Sequence, residues 1–169
     1  MKQILFFIFI LHYKKEFDMI KLSKIAFVIL IYSLSCYSLC LADQNQEKIN
    51  KETVMNFYNK AINEKDFTSA SIYLGDKYIQ HNPKAADGKD GLKSFIAYLK
   101  DKAPQYHSEI KKVFADGDFV TLHVHNTPAP GARGNAIVDI FRLEKGKIVE
   151  HWDVIQPVPE KSANTNGMF

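Results

Sequence analysis

At 169 residues with a formal net charge of +3, the chain is long enough for one domain with a proper core and short for two. The first 42 residues hold five lysines and two acidic residues, a net of +3. The remainder is therefore charge-balanced, and a basic face of the kind that selects nucleic acid or an anionic membrane is not expected. Both cysteines, Cys36 and Cys40, also fall in this opening segment, so the rest has neither a disulfide framework nor a thiol nucleophile and must be held by packing.

The opening segment reads as an export signal. Lysines at 14, 15, 21 and 24 precede an apolar run from Ile25 to Leu34, and Cys40-Leu41-Ala42 offers small residues for cleavage. Met19 followed by Ile20, Lys21 and Lys24 makes a more ordinary start, and the run Ile4 to Leu11 is too short to span a bilayer. A lipoprotein alternative would keep Cys36 as the acylated first residue, but Ser33-Leu34-Ser35-Cys36 matches that pattern poorly. The expectation is export to the periplasm or medium, with no membrane attachment after cleavage. Residues 43–160 then form the domain and 161–169 a tail, the polar, Pro-rich character beginning at Pro157.

Along the domain, Gln44 to Asn63 carries Val54, Tyr58, Ala61 and Ile62 at helical spacing and predicts an amphipathic helix. Asp66 can cap a short second helix through Tyr73, with Gly75 ending it. Residues 77–82 predict an extended piece and 82–88 a turn-rich stretch. Asp87 and Asp90 read as a capping pair for a third helix in which Leu92, Phe95, Ile96 and Leu99 fall at i, i+3, i+4 and i+7, and Pro104 stops it. From Tyr106 the period changes to two, predicting strands at about 106–115, 119–127, 135–143 and 147–156, with a hairpin signal at Asp116-Gly117. Thr127 to Gly134, with two prolines and two glycines, predicts a mobile lip. Helices first and a strand meander after them make the fold class α+β, a curved antiparallel or mixed sheet wrapped over about three helices.

The final two strands carry the chemistry. With Glu144-Lys145-Gly146 as a three-residue connection, Asp139 pairs with His151 and Ile137 with Asp153, all on one face with Phe141 and Val149. Val138, Ile140, Arg142, Ile148, Glu150 and Trp152 take the other. Directly opposed Cβ atoms lie about 5 Å apart and diagonal ones about 7–8 Å, so Asp139, His151 and Asp153 can act on one small molecule if that face lines a cavity. A two-residue turn would break the grouping. His123-x-His125 puts two imidazoles on one strand face, as some metal sites do, but would need Asp139 or His151 to complete a ligand set, and no metal is assigned. Tyr58, Phe95 and Tyr98 are candidates for a cavity mouth.

Tyr78-Ile79-Gln80-His81-Asn82-Pro83 before the third helix, then Val138-Asp139-Ile140-Phe141-Arg142 and Gly146-Lys147-Ile148-Val149-Glu150-His151-Trp152-Asp153 at the end, resemble the SnoaL-like polyketide cyclase family. This family lies within the nuclear transport factor two and ketosteroid isomerase-like superfamily. The resemblance covers residues 46–160 and looks closest to the bacterial branch described as predicted SnoaL-like aldol-condensation enzymes. It implies a cone-shaped α+β barrel and an acid/base aspartate at Asp153; a histidine of the cyclases aligns with Asp139, a departure that leaves two carboxyls on one face. It also implies that His81 and Asn82 border the cavity.

Aldol closure needs a base for a proton α to a carbonyl and an acid for the alkoxide formed, and one carboxyl raised by burial can serve both steps. The expected catalytic residues are Asp153 for the proton transfers, His151 to orient it or bind the substrate oxygen, and Asp139 to hold the His151 tautomer. Substrate contacts are expected from His81, Asn82, His123, His125 and Tyr98. No metal or organic cofactor is required. The expected partners are a small hydrophobic or carbonyl-containing molecule and a second copy of the chain across the outer sheet face. The rival reading is a non-catalytic binding module; a hydrolase is a weaker one, because Arg142 falls outside the pocket.

Overall fold

The computed structural model describes residues 42–169. Apart from Ala42, the expected export segment, with Met19, Cys36 and Cys40, lies outside the described residues. Among these residues no helix is long and apolar enough to cross a membrane.

Helix α1 is helical over the described residues 42–58 and runs into a π-helical turn, Asn59–Asn63. It buries Val54, Phe57, Tyr58 and Ala61. Asn63 holds the end of α1 against the start of the meander, donating to Ser108 O at 3.0 Å and accepting from Ser108 N at 2.9 Å. Helix α2, Phe67–Ser71, is capped by Asp66, whose side chain accepts from Ser69 N. Helix α2 ends earlier than expected, and Gly75 does not terminate it; Gly75 lies inside strand β1, Leu74–Gln80. Helix α3 spans Gly88–Lys102 and buries Leu92, Ile96 and Leu99. Asp87 stands at its N-cap, but its side chain makes no cap bond and accepts instead from Gln80 N at 2.8 Å, tying the loop back to β1.

Strands β2 (His107–Asp116), β3 (Phe119–Thr127), β4 (Asn135–Glu144) and β5 (Lys147–Pro157) form the expected meander. The sheet order is β1-β5-β4-β3-β2, with β1 parallel to β5 and the other pairs antiparallel. Its inner face presents Val120, Leu122, Val124, Ile137, Phe141 and Leu143 to α1 and α3 as one apolar core. Phe141, 1% exposed, is the hub, with Phe57 and Tyr58 meeting its ring edge-on at 5.9 and 6.4 Å.

The β4–β5 hairpin departs from expectation twice, and the two departures cancel. Glu144 pairs with Lys147, so the connection is the two-residue turn Lys145-Gly146, both in the left-handed region at φ 52 and 72°, as a hairpin turn of this length requires. Alone, that turn would send His151 and Asp153 outward. The register then shifts between Leu143↔Ile148 and Arg142↔Glu150, leaving Val149 as an extra residue in β5. This bulge restores the parity: Phe141 faces His151, Asp139 faces Asp153 and Ile137 faces Ile155. Consecutive Ile148 and Val149 are both buried, as a bulge allows. Gly75 makes room for it, since a Cβ there would stand 2.7 Å from Val149 Cγ1.

The bulge therefore rests on an absent side chain. Gly75→Val is expected to lower stability by about 1–3 kcal/mol through overpacking, read as a reduced urea midpoint; an unchanged midpoint would show that Val149 needs no such space.

Candidate active site

Between the inner face of the sheet, α1, α3 and the loop after β1 lies a cavity of about 280 Å³. Its walls are mostly apolar and aromatic, including Phe57, Tyr58, Tyr78, Phe95, Tyr106 and Phe141, and its polar floor is Asp139, His151 and Asp153 with Gln80 and Asn82. The three ionisable residues expected to share a face do so. Asp139 is 4% exposed and His151 8%, with Asp153 more accessible.

Gln80, the last residue of β1, and the two residues after it fasten the last strand. Gln80 pairs with His151 along the parallel ladder, and His81 N donates to His151 O at 2.9 Å. In side chains, Gln80 Oε1 lies 3.0 Å from His151 Nδ1, His81 Nε2 2.8 Å from Glu150 Oε1, and Asn82 Nδ2 donates to Asp153 Oδ2 at 2.7 Å. Alternation along the chain puts Gln80 and Asn82 inside and His81 outside. On the other ring nitrogen, His151 Nε2 lies 3.0 Å from Asp139 Oδ1, while Asp139 Oδ2 is buried with no hydrogen-bond partner.

Burial pushes the Asp139 carboxyl above its ordinary range; the hydrogen bond and charge of His151 oppose this, and the facing Asp153 adds to it. Tyr58 is raised well above its ordinary value, by burial first and then by the negative Asp139. Tyr106 is pushed up to about 12 by burial, with Asp139 and Asp153 contributing. The cavity thus favours neutral acids near a carboxylate.

Asn82 lines the cavity as expected, and Tyr58 and Phe95 do too. Four expected substrate contacts do not. His81 is on the outer side, stacked on Trp152 at 4.6 Å and bonded to Glu150. Val120, Leu122 and Val124 are the β3 residues that meet the helices, so alternation turns His123 and His125 outward. His125 Nε2 lies 2.8 Å from Arg133 O, and both imidazoles pack on Phe169 of the tail. Tyr98 is exposed because it lies off the α3 stripe of Leu92, Ile96 and Leu99. The lip expected at 127–134 contributes no lining residue; the cavity edge is formed by Lys84, Ala85 and Ala86. Arg142 is outside as expected, with Nε 2.7 Å from Glu150 Oε2. Sequence reasoning missed Gln80, Tyr78, Tyr106 and Phe57. The alternation that paired Gln80 with Asn82 on one side of His81 was the available signal.

For a metal, the set that could supply ligands among the described residues is again Asp139, His151 and Asp153, whose ligand atoms lie within 4.8 Å of one another. Both nitrogens of His151 are already engaged, so an ion would have to open the His151–Asp139 bond. As the residues stand, they form a hydrogen-bonded acid–imidazole–acid cluster: two carboxyls facing each other across adjacent strands, one with an unoccupied oxygen, inside an apolar chamber.

The fold is shared with several solved structures. An NTF-2 like protein of unknown function from Burkholderia xenovorans aligns at 16% identity and TM-score 0.57, covering 70% of this chain and 91% of that one. A protein provisionally named a polyketide cyclase, from Bacillus cereus, aligns at 22% identity and TM-score 0.55, covering 63% and 74%. An LEH-like epoxide hydrolase from M. tuberculosis aligns at 18% identity and TM-score 0.55, covering 65% and 84%. No curated protein sequence matches. The model of the SnoaL-like domain matches residues 54–151, more than half of the chain, including Asp139 and His151 but stopping short of Asp153, and the chain belongs to that SnoaL-like family.

Proposed function

We propose that this is an exported, cofactor-independent acid/base enzyme of the aldol-cyclase, isomerase or lyase type, acting on a small carbonyl compound. The observation that carries the reading is the opposition of Asp139 and Asp153 across β4 and β5, with His151 bonded to one of them, on the floor of a mostly apolar chamber. Asp153 is the base that removes a proton α to the carbonyl and later returns it. Asn82 holds one of its oxygens, which leaves the other to reach the substrate. The Asp139–His151 pair supplies the proton for the oxygen that becomes negative. Membership of the SnoaL-like family supports a small-molecule ligand, and Arg142, bonded to Glu150 on the outer side, speaks against an Asp-Arg-Asp hydrolase.

The test is deuterium incorporation α to the carbonyl, followed by NMR in D₂O over a panel of small ketones, aldehydes and 1,3-dicarbonyls. Asp153→Asn is expected to lower exchange of the accepted compound by about 100-fold or more while a non-reacting analogue still binds. Exchange by the Asn variant at the wild-type rate would reject the assignment. Binding without exchange by the wild type would favour a non-catalytic binding module.

The raised pKa of Asp139 also sets the pH dependence of stability. A carboxyl whose pKa is higher folded than unfolded contributes fully below about pH 4, and that contribution is lost as the pH rises through the folded-state value. Asn at this position stays neutral and escapes the loss. Asp139→Asn is expected to match the wild type near pH 4 and to exceed its Tm by roughly 3 °C or more at pH 8; a deficit that grew with pH would contradict this account.

The proposed second copy would cover the outer sheet face, where Phe119, Val138 and Val154 are exposed and Phe119 lies 6.4 Å from Trp152. Val154→Glu is expected to convert a dimer to a monomer in sedimentation equilibrium; a wild type that sediments as a monomer would remove this proposal.

A further inference from the structure

Gln80 decides where the protons of the central pair sit. Its Oε1 accepts the backbone N–H of Asn82 at 2.9 Å, and its Nε2 donates to the Tyr78 hydroxyl at 3.2 Å. A backbone N–H can only donate, so the atom facing Asn82 N must be the amide oxygen. The same oxygen lies 3.0 Å from His151 Nδ1. An oxygen with no proton to give forces Nδ1 to carry one, and the nitrogen left to exchange protons is Nε2, which faces Asp139 Oδ1 at 3.0 Å.

We propose that Gln80 is a positioning residue that locks His151 in its Nδ1–H form, so that the exchangeable proton of the pair lies between His151 Nε2 and Asp139 Oδ1. This reverses the division of labour expected from the sequence, in which Asp139 held the tautomer. It rests on the acid/base reading for its catalytic meaning and on geometry alone for the tautomer. The shared proton then moves along one line. The Oδ1–H bond breaks as an N–H bond forms at Nε2, which leaves an Asp139 carboxylate and an imidazolium whose Nδ1–H still meets Gln80, and the reverse step returns both groups to neutral.

The tautomer is read directly by ¹⁵N–¹H correlation spectroscopy of the imidazoles in the full chain, recorded over a pH series, with the His151 signals assigned by their loss in His151→Gln. The wild type is expected to show protonated Nδ1 and bare Nε2. Gln80→Glu keeps an acceptor at the same place and is expected to retain that pattern, whereas Gln80→Leu is expected to shift His151 toward the Nε2–H form or a mixture. A wild-type His151 protonated on Nε2 and bare at Nδ1, or an unchanged pattern in a folded Gln80→Leu, would overturn the proposal. Should Gln80→Leu fail to fold, the wild-type and Gln80→Glu spectra decide alone. If an exchange activity is found, Gln80→Leu is expected to lower kcat by about tenfold or more with KM little changed, and Gln80→Glu to restore most of it. A KM effect with kcat intact would make Gln80 a substrate contact instead. The spectra stand whether or not the protein is an enzyme, so failure of the tautomer proposal and failure of the acid/base reading are separate results.

Discussion

The sidedness of β5 governs everything the cavity contains. A strand offers its residues to alternate faces, so one residue more or less between the turn and His151 exchanges the inside for the outside. The tight Lys145-Gly146 turn and the extra Val149 each change that count by one, and together they return His151 and Asp153 to the face already occupied by Asp139. Neither feature is free to vary alone. A longer turn with the bulge kept would place Glu150 and Trp152 over the core, and their exchange for His151 would bury a carboxylate whose present partners, His81 and Arg142, lie outside.

Once the face is set, the end of β1 holds it. Gln80 and Asn82 each take one polar group of β5, and His81 takes Glu150 on the far side, so the parallel pair is joined by side chains as well as by its ladder. Asp87 anchors the start of the same loop through Gln80 N instead of capping α3. The cost is a helix N-terminus without its side-chain cap, typically about 1 kcal/mol. The gain is a loop closed back onto β1, whose residues Lys84 to Ala86 line the cavity. His81 shows how the outer side completes this arrangement: it stacks on Trp152 while Glu150, held below the ordinary carboxylate range by the His81 bond and by Arg142, keeps the exposed rim ionised.

The α+β order, the helix stripes of Val54, Tyr58 and Ala61 and of Leu92, Ile96 and Leu99, and the strand meander were all legible because each depends on local periodicity. The grouping of Asp139, His151 and Asp153 was legible for a less secure reason. The reading with a three-residue turn and the observed turn with a bulge differ by two residues in pairing, and parity survives a shift of two. What changed was the partner: Asp139 faces Asp153, not His151. His123 and His125 could be offered as substrate contacts because nothing in β3 says which of its two apolar-rich faces the helices cover; Phe119 and Thr121 on one side and Val120, Leu122 and Val124 on the other are both acceptable cores. Gln80 went unread because its importance lies in one oxygen meeting two donors brought together from β1 and β5, and no pattern within a single segment records that.

The polar floor is hard to explain as packing. Asp139 opposes another carboxyl and loses nearly all its water, with the Tyr58 hydroxyl close enough to oppose the rise in its pKa. A neutral side chain of the same shape would keep contact with His151 without that desolvation cost. Simple burial of a strand residue beside Phe141 asks for an apolar group, as Ile137 and Leu143 on the same face illustrate. The cluster is also supported as structural ornaments rarely are: Gln80 on His151, Asn82 on Asp153, Tyr78 behind Gln80. A destabilised group held by a second layer of oriented partners beside an apolar cavity is the arrangement in which perturbed ionisable groups cluster at functional sites.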